Sequence, residues 1–438
     1  MNRWLLSGGL LLLLLLLLLF ASGEAPAVSA APAAPAAIQR PLDPIILHGA
    51  QLPDWLTLPL DQLFLYAYHP ATGWRQIPWQ FDEKSQGVYV ASEDGRLDAD
   101  DELVFMARDC GQRASPSQWI ADADARNHQR YEITVTDPLH PDQHCWVYLY
   151  RSTTQQKTNT RDYVDYEGYT AATESYHLTV QKKQLIAADL TFFQNHEDVL
   201  DRTKVRVKQG TLFIDEDDLV PNDPNTDWYK IRDGQVRTII QFIAYDPDTN
   251  KQTILLTLLN YESLFHEQVT FDLSDLTATL EMFRYSADLT SAIAGGTYYD
   301  ANTPAGVAVD GMEDDVAVAP FSPWNQISHP SLGSIIQIID AASMGGTQQT
   351  YYKDDKRYDG KDTGDGRSYA DTGLLIKKGS ANLAFDVWYY VLPPGQPNVG
   401  AAYADAATHS LRTQTTPQKR SSEPDAIRMY LPMLRAGR

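Results

Sequence analysis

An all-β fold of antiparallel β-sandwiches, with few short helices, is predicted by three observations on this 438-residue chain. Segments such as Tyr131-Glu132-Ile133-Thr134-Val135, Tyr176-His177-Leu178-Thr179-Val180 and Thr203-Lys204-Val205-Arg206-Val207 alternate with the period of two that half-buried strands require. The apolar and aromatic runs are short and bounded by Gly, Pro, Asn or Asp. They also follow one another closely without intervening helical periodicity, which favours sandwich or barrel packing over βαβ units. A hydrophobic content of 43% with 11% aromatics is ample for a packed core and excludes disorder of the whole chain.

Residues 1–30 read as a secretory signal: Arg3, an apolar run from Trp4 to Phe20, then small residues at Ala21-Ser22-Gly23 and Val28-Ser29-Ala30. A retained anchor is the alternative, because the run approaches the ~17 residues that a bilayer span needs. The expected location is secreted or cell surface, with membrane contact only through this segment if it is uncleaved. Residues 31–44 belong to an Ala/Pro-rich spacer that cannot bury enough apolar surface to fold.

An N-terminal β domain is expected over 45–165. Leu63 to Tyr68 and Trp74 to Phe81 form a hairpin around His69-Pro70-Ala71-Thr72-Gly73. Cys110 follows the run Leu103 to Ala107, and Cys145 precedes Trp146 to Tyr150, so both cysteines sit at strand ends. A disulfide suits an exported chain, whereas a metal pair with His144 or a free thiol are its rivals. A polar break near Thr153 to Tyr166 separates a long-stranded β-sandwich domain over 166–412. Its largest hairpin joins Val236 to Tyr245 with Gln252 to Tyr261, and strands continue to Leu383 to Val391. Helix is expected only at Ala287 to Ala294, with a capped turn at Ser274-Asp275-Leu276. Residues 413–438 read as a polar linker and C-terminal tail.

The formal net charge of −21, from 57 acids against 36 Lys+Arg, repels phosphate backbones and excludes nucleic acid as a partner class. Such acidity serves solubility, or gathers divalent cations. There is no G-x-S-x-G elbow, H-E-x-x-H, P-loop or strand-linked G-x-G-x-x-G. The histidines, among them His177, His196, His266 and His329, are isolated in sequence and read as structural.

Three constellations offer chemistry. In Glu93 to Glu102, placing Gly95 at the glycine of a calcium loop puts Asp94, Asp98 and Asp101 at ligand positions, but Val90 then occupies a position where it cannot coordinate through its side chain. The other reading is a turn solvated by its acids. The long segment from Tyr351 to Gly373 combines hard oxygens with flat aromatic faces: Tyr351, Tyr352, Asp354, Asp355, Asp362, Asp365 and Tyr369 are candidate ligand-binding residues for a glycan, with calcium as a candidate cofactor. Arg357 and Arg367 offer the alternative that the aspartates are simply paired. The third is Asp215 to Asp218, followed by Trp228 and Tyr229, either a polysaccharide-facing edge or a solvated loop.

Residues Ile77-Pro78-Trp79-Gln80-Phe81-Asp82-Glu83, Asp94 to Asp98 and Asp101 to Asp109 together resemble a recurring element of uncharacterised exported bacterial β-proteins. The part from Ser175 to Arg412 is similar to the β-supersandwich of mutarotase-like and polysaccharide-lyase domains. The end Tyr430-Leu431-Pro432-Met433-Leu434-Arg435 resembles terminal tails of exported bacterial proteins, and implies a sorting or surface-retention tag. These resemblances supply no catalytic residue and imply a tilt toward carbohydrate. The expectation is a secreted or cell-surface β-sandwich protein that binds an extracellular glycan or cell-surface component with calcium assistance. A polysaccharide-acting lyase or glycoside hydrolase is the rival.

Overall fold

The structure, a computed structural model, describes residues 37–91, 94–193, 195–218, 223–274, 277 and 279–420. The expected signal segment, the start of the spacer, the C-terminal tail from 421, and Asp275 and Leu276 of the expected capped turn lie outside the described residues.

The all-β expectation holds. Alternation in sequence becomes alternation in burial: in Leu264–Asp272 the side chains from Glu267 to Asp272 alternate between buried and exposed. A nine-stranded antiparallel sheet runs in the spatial order Asp227–Asp233, Thr238–Asp246, Lys251–Asn260, Leu264–Asp272, Asn382–Leu392, Gly333–Asp340, Trp324–His329, Thr297–Asp300 and Val307–Ala308. Facing it lies a five-stranded sheet in the order Leu212–Asp215, Leu200–Gln209, Thr279–Leu289, Ser368–Ser380 and Thr347–Asp355, with a four-stranded sheet spanning Val164–Glu167 to Ala187–Phe192. Phe242, Leu258, Phe265 and Phe385 from the large sheet meet Val205, Phe283, Leu374 and Phe192 from the other two in one apolar cluster. Each such side chain contributes about 1.5–3 kcal/mol by leaving water.

A second sandwich is built near the N-terminus. The sheet of Pro44–His48, Glu102–Met106 and Gln80–Asp82 packs on a five-stranded sheet of Arg412–Gln418, Arg130–Asp137, His140–Arg151, Leu63–His69 and Gly73–Gln76. Its central strand is buried on both faces. Leu103 and Phe105 join the cluster with Leu65, Ile133 and Leu149, while Val104 and Met106 pack with Ile239, Leu259, Ile336 and Tyr390 on the outer face of the nine-stranded sheet. That double burial is why the run from Leu103 to Ala107 shows no alternation.

The disulfide is present: Cys110 and Cys145 are bonded with their Cα atoms 5.6 Å apart. Four elements differ from expectation. The hairpin's second strand stops at Gln76; after Pro78, which has no N–H to give a ladder, Gln80–Asp82 pairs with Glu102–Met106 instead. The short helix expected from Ala287 to Ala294 is a strand as far as Leu289, because Ala287 and Leu289 are buried in the sandwich core; a single 3₁₀ turn, Ser291–Ile293, follows and is capped by the Thr290 side chain. The α-helix Gly400–Thr408 was not expected, and the stretch read as linker begins with the strand Arg412–Gln418, which pairs with Arg130–Asp137.

Candidate functional site

Between the N-terminal three-stranded sheet and the outer face of the nine-stranded sheet lies a cavity of about 570 Å³. Sheet register builds its floor. Leu259 stands opposite His266, and His266 opposite Trp388; in the next same-face row Thr257 pairs with Gln268 and Gln268 with Asp386. Side chains two residues apart share a face, so His266, Gln268, Trp388 and Tyr390 all line the cavity. His48, Lys84, Tyr89 and Glu102 form one wall, and Ala406 and Ala407 at the end of the α-helix form another.

The imidazole of His266 stacks on the Trp388 indole, with centroids 4.4 Å apart and planes within 13°. His266 Nε2 also hydrogen-bonds Asp386 Oδ1 at 2.7 Å, which fixes the ring's orientation. The result is a preset, stacked aromatic pair lining the recess.

The wall is held by a buried charge network. Arg237, fully buried, donates from Nε to Asp82 Oδ2 at 2.8 Å, from Nη2 to Glu102 Oε2 at 2.6 Å and from Nη1 to the Tyr261 hydroxyl at 2.8 Å. Lys84 Nζ donates to Glu102 Oε1 at 2.5 Å, and the Tyr89 hydroxyl donates to Oε2 at 3.0 Å. Burial pushes the Glu102 carboxyl up, but Arg237 and Lys84 outweigh it and hold the group down at about 2. Burial drives the Tyr89 phenol upward. At neutral pH Glu102 is therefore ionised, with both oxygens engaged, and Tyr89 is neutral. Glycosidic hydrolysis needs a protonated carboxyl beside the bond, with a second carboxylate about 5–10 Å away. Glu102 cannot supply that proton.

Ile77 to Glu83, with Asp94 to Asp98 and Asp101 to Asp109, builds this wall. Gln80 Oε1 accepts from the N–H groups of Val236 and Arg237, both at 2.8 Å, while its amide donates to Asp82. Asp101 accepts the N–H groups of Lys84 and Asp98, and Asp94 accepts that of Arg96. The acidic turn thus spends Asp94 and Asp101 on backbone donors. Among the described residues no group of three or more His, Cys, Asp and Glu side chains is arranged to hold a metal ion.

Of the seven candidates expected in a long loop, Tyr351, Tyr352, Asp354, Asp355 and Tyr369 lie on the strands Thr347–Asp355 and Ser368–Ser380, and the seven do not share one surface. Tyr352 and Tyr369 pack against the sandwich core, Tyr352 with its ring 4.3 Å from that of Tyr298, whereas Tyr351 lies on the opposite face beneath Arg284. Asp354 is buried and accepts the N–H groups of Asp310 and Gly311. Asp355 pairs with Arg357, Asp365 accepts the N–H of Arg367, and Asp362 binds Lys204 and Arg206. In the third constellation, Glu216 is buried against Arg206, Asp217 pairs with Arg202, Trp228 is buried and Tyr229 is exposed. Of the histidines read as structural, His266 stands in the cavity. The residues missed by sequence reasoning are His48, Lys84, Tyr89, Glu102 and Trp388. The available signal was a polar or aromatic residue on the outward parity of a strand, as at His266 and Trp388.

The fold and site define an all-β sandwich protein with an aromatic-floored, charge-walled cavity. No family model matches the chain, and no curated protein matches it. Among solved structures, the chain is similar to the α-N-acetylgalactosaminidase NagBb from Bifidobacterium bifidum, in complex with GalNAc, at 10% identity and a TM-score of 0.38. The match covers 55% of this chain and 38% of that one, a weak and partial likeness in fold.

Proposed function

We propose that this chain is an exported, non-catalytic saccharide-binding protein, and that its glycan sits on the Leu259–His266–Trp388 row of the cavity floor. The carrying observation is the stacked His266–Trp388 pair within a recess of about 570 Å³. A flat ring suits the C–H face of a sugar, and convergent polar groups such as Gln241, Gln268 and Lys84 suit its hydroxyls. The saturated Glu102 favours binding over turnover. The disulfide supports export, since such bonds persist in oxidising compartments.

Calorimetric titration with a panel of neutral oligosaccharides tests this reading. Trp388→Ala is expected to weaken the best ligand by about tenfold, the loss of one aromatic face. No binding by any member, or equal binding by the variant, would sink it. Repeating the titration with calcium and then with a chelator tests the proposal that the ion assists.

A second reading rests on His266 itself. A histidine oriented by a carboxylate at 2.7 Å is the arrangement of a general base and its positioning group. Product release from the same panel, abolished by His266→Ala with binding retained, would establish turnover in place of binding alone.

A further inference from the structure

Away from the cavity, the outer face of the five-stranded sheet carries a charge cluster roofed by residues 356–367. Val205, Val207, Phe283 and Tyr285 turn toward the sandwich core, so Lys204, Arg206, Arg284, Ser286 and Asp288 face the other way. Register lays Lys204 beside Ser286, Ser286 beside Gly373, and Gly373 beside Tyr351. An outward sheet face is ordinarily wet, yet Lys204, Ser286, Asp288 and Asp371 are each 0% exposed.

The roof is held by charge. Asp362 Oδ1 accepts Arg206 Nη2 at 3.0 Å, while its Oδ2 lies 3.1 Å from Lys204 Nζ and 3.6 Å from Lys353 Nζ. Thr363 Oγ1 accepts Arg206 Nη2 at 2.7 Å, and the N–H of Asp365 donates to Asp201 at 3.0 Å. The roof's large aromatic, Tyr358, is 71% exposed. The segment is thus a loop whose inserted carboxylate meets three cations, two of which, Lys204 and Arg206, also pair beneath it with Asp288 and Glu216.

Under the roof, polar groups go unmatched. Neither oxygen of Asp371 accepts a hydrogen bond, although Arg284 Nη1 lies 3.7 Å away, and Ser286 Oγ and Arg284 Nε also form none. Such buried groups each cost about 1–3 kcal/mol unless something else satisfies them. An acceptor pair, a hydroxyl and a guanidinium N–H are the complement of ring hydroxyls. A cationic trio is the complement of a carboxylate. One ligand class, an acidic sugar, offers both.

We propose that this face is a second ligand site, for a carboxylate-bearing sugar of the uronate type, and that Asp362 occupies the carboxylate position when the loop is closed. Ligand and loop then compete for Lys204, Arg206 and Lys353. The exchange is non-covalent, and the site is independent of the cavity at Trp388.

The test is titration of wild type and Asp362→Asn with glucuronate, glucose and acetate, with circular dichroism as the folding control. Removing the competing carboxylate should tighten glucuronate binding by about tenfold, raise acetate by less because it lacks the ring hydroxyls, and leave glucose unchanged. In the wild-type chain, saturating glucuronate should speed amide hydrogen exchange across 356–367 as the loop lifts. Glucuronate binding no tighter in the variant, a gain matched by glucose, or an acetate gain as large as that of glucuronate overturns the proposal. Should the variant not fold, the wild-type exchange decides, and unchanged exchange overturns it. The glucuronate gain in Asp362→Asn and the exchange across 356–367 are read again in the Trp388→Ala background and should persist there, so the two sites succeed or fail separately.

Discussion

Replacing Arg237 with alanine is expected to destabilise the chain by about 3–5 kcal/mol, because it strands two buried carboxylates. Asp82 and Glu102 are 1% and 4% exposed, and each accepts a charge-assisted hydrogen bond from this guanidinium. Lys84 still serves Glu102, and Gln80 still serves Asp82, which keeps the loss from running higher. The two ends of the network belong to different sheets. Asp82 and Glu102 lie on the N-terminal three-stranded sheet, while Arg237 precedes the strand Thr238–Asp246 of the nine-stranded one. Loss of the arginine therefore also loosens the wall that carries Tyr89 and Glu102 over the cavity. Urea denaturation near neutral pH measures the loss, and a change below about 1 kcal/mol would show that the network holds nothing. At low pH, where the orphaned carboxyls are neutral, the deficit should shrink.

This network also shows where sequence reading stops. Strands were legible wherever one face is buried, since apolar alternation records that geometry directly, as in Tyr176–Val180. Glu102–Met106 was legible as a strand by its β-branched and aromatic content, but its two partners were not, because double burial erases the alternation that tells inside from outside. The acids from Glu93 to Glu102 were read as solvating a turn or gathering calcium. Their counter-charge is 135 residues beyond Glu102, and nothing local announces it. The cavity floor has the same character: His266 and Trp388 meet only because Leu264–Asp272 and Asn382–Leu392 are neighbours in a sheet whose order departs from chain order. The loop after Thr347–Asp355 was legible as a charged segment. The fate of each aspartate was not, because adjacent strand residues such as Tyr351 and Tyr352 serve opposite faces.

Glu267 supplies the second large effect, and its sign is fixed by burial. It lies between His266 and Gln268 on the cavity strand, but on the opposite parity, so it points into the sandwich core. Its neighbours across the sheet are Leu258 and Val387, and the Tyr285 hydroxyl donates to its Oε2 at 2.7 Å. Desolvation lifts its carboxyl from 4.5 to about 7, against the opposing pull of that one hydrogen bond. The folded chain thus holds this proton more tightly than the unfolded chain does. The resulting stabilisation is complete below about pH 4.5 and is lost as pH rises through about 7. A rise of that size corresponds to about 3 kcal/mol. Glu267→Gln keeps an acceptor for Tyr285 and removes the ionisation. Across denaturation curves at pH 5 and pH 8, wild type should lose about 2–3 kcal/mol relative to the variant, since part of the effect is already spent at pH 5. Parallel pH profiles for the two proteins would show that the carboxylate is accommodated in the core. Saccharide binding by the variant should match wild type at pH 5, since position 267 faces away from the cavity that His266 and Gln268 line.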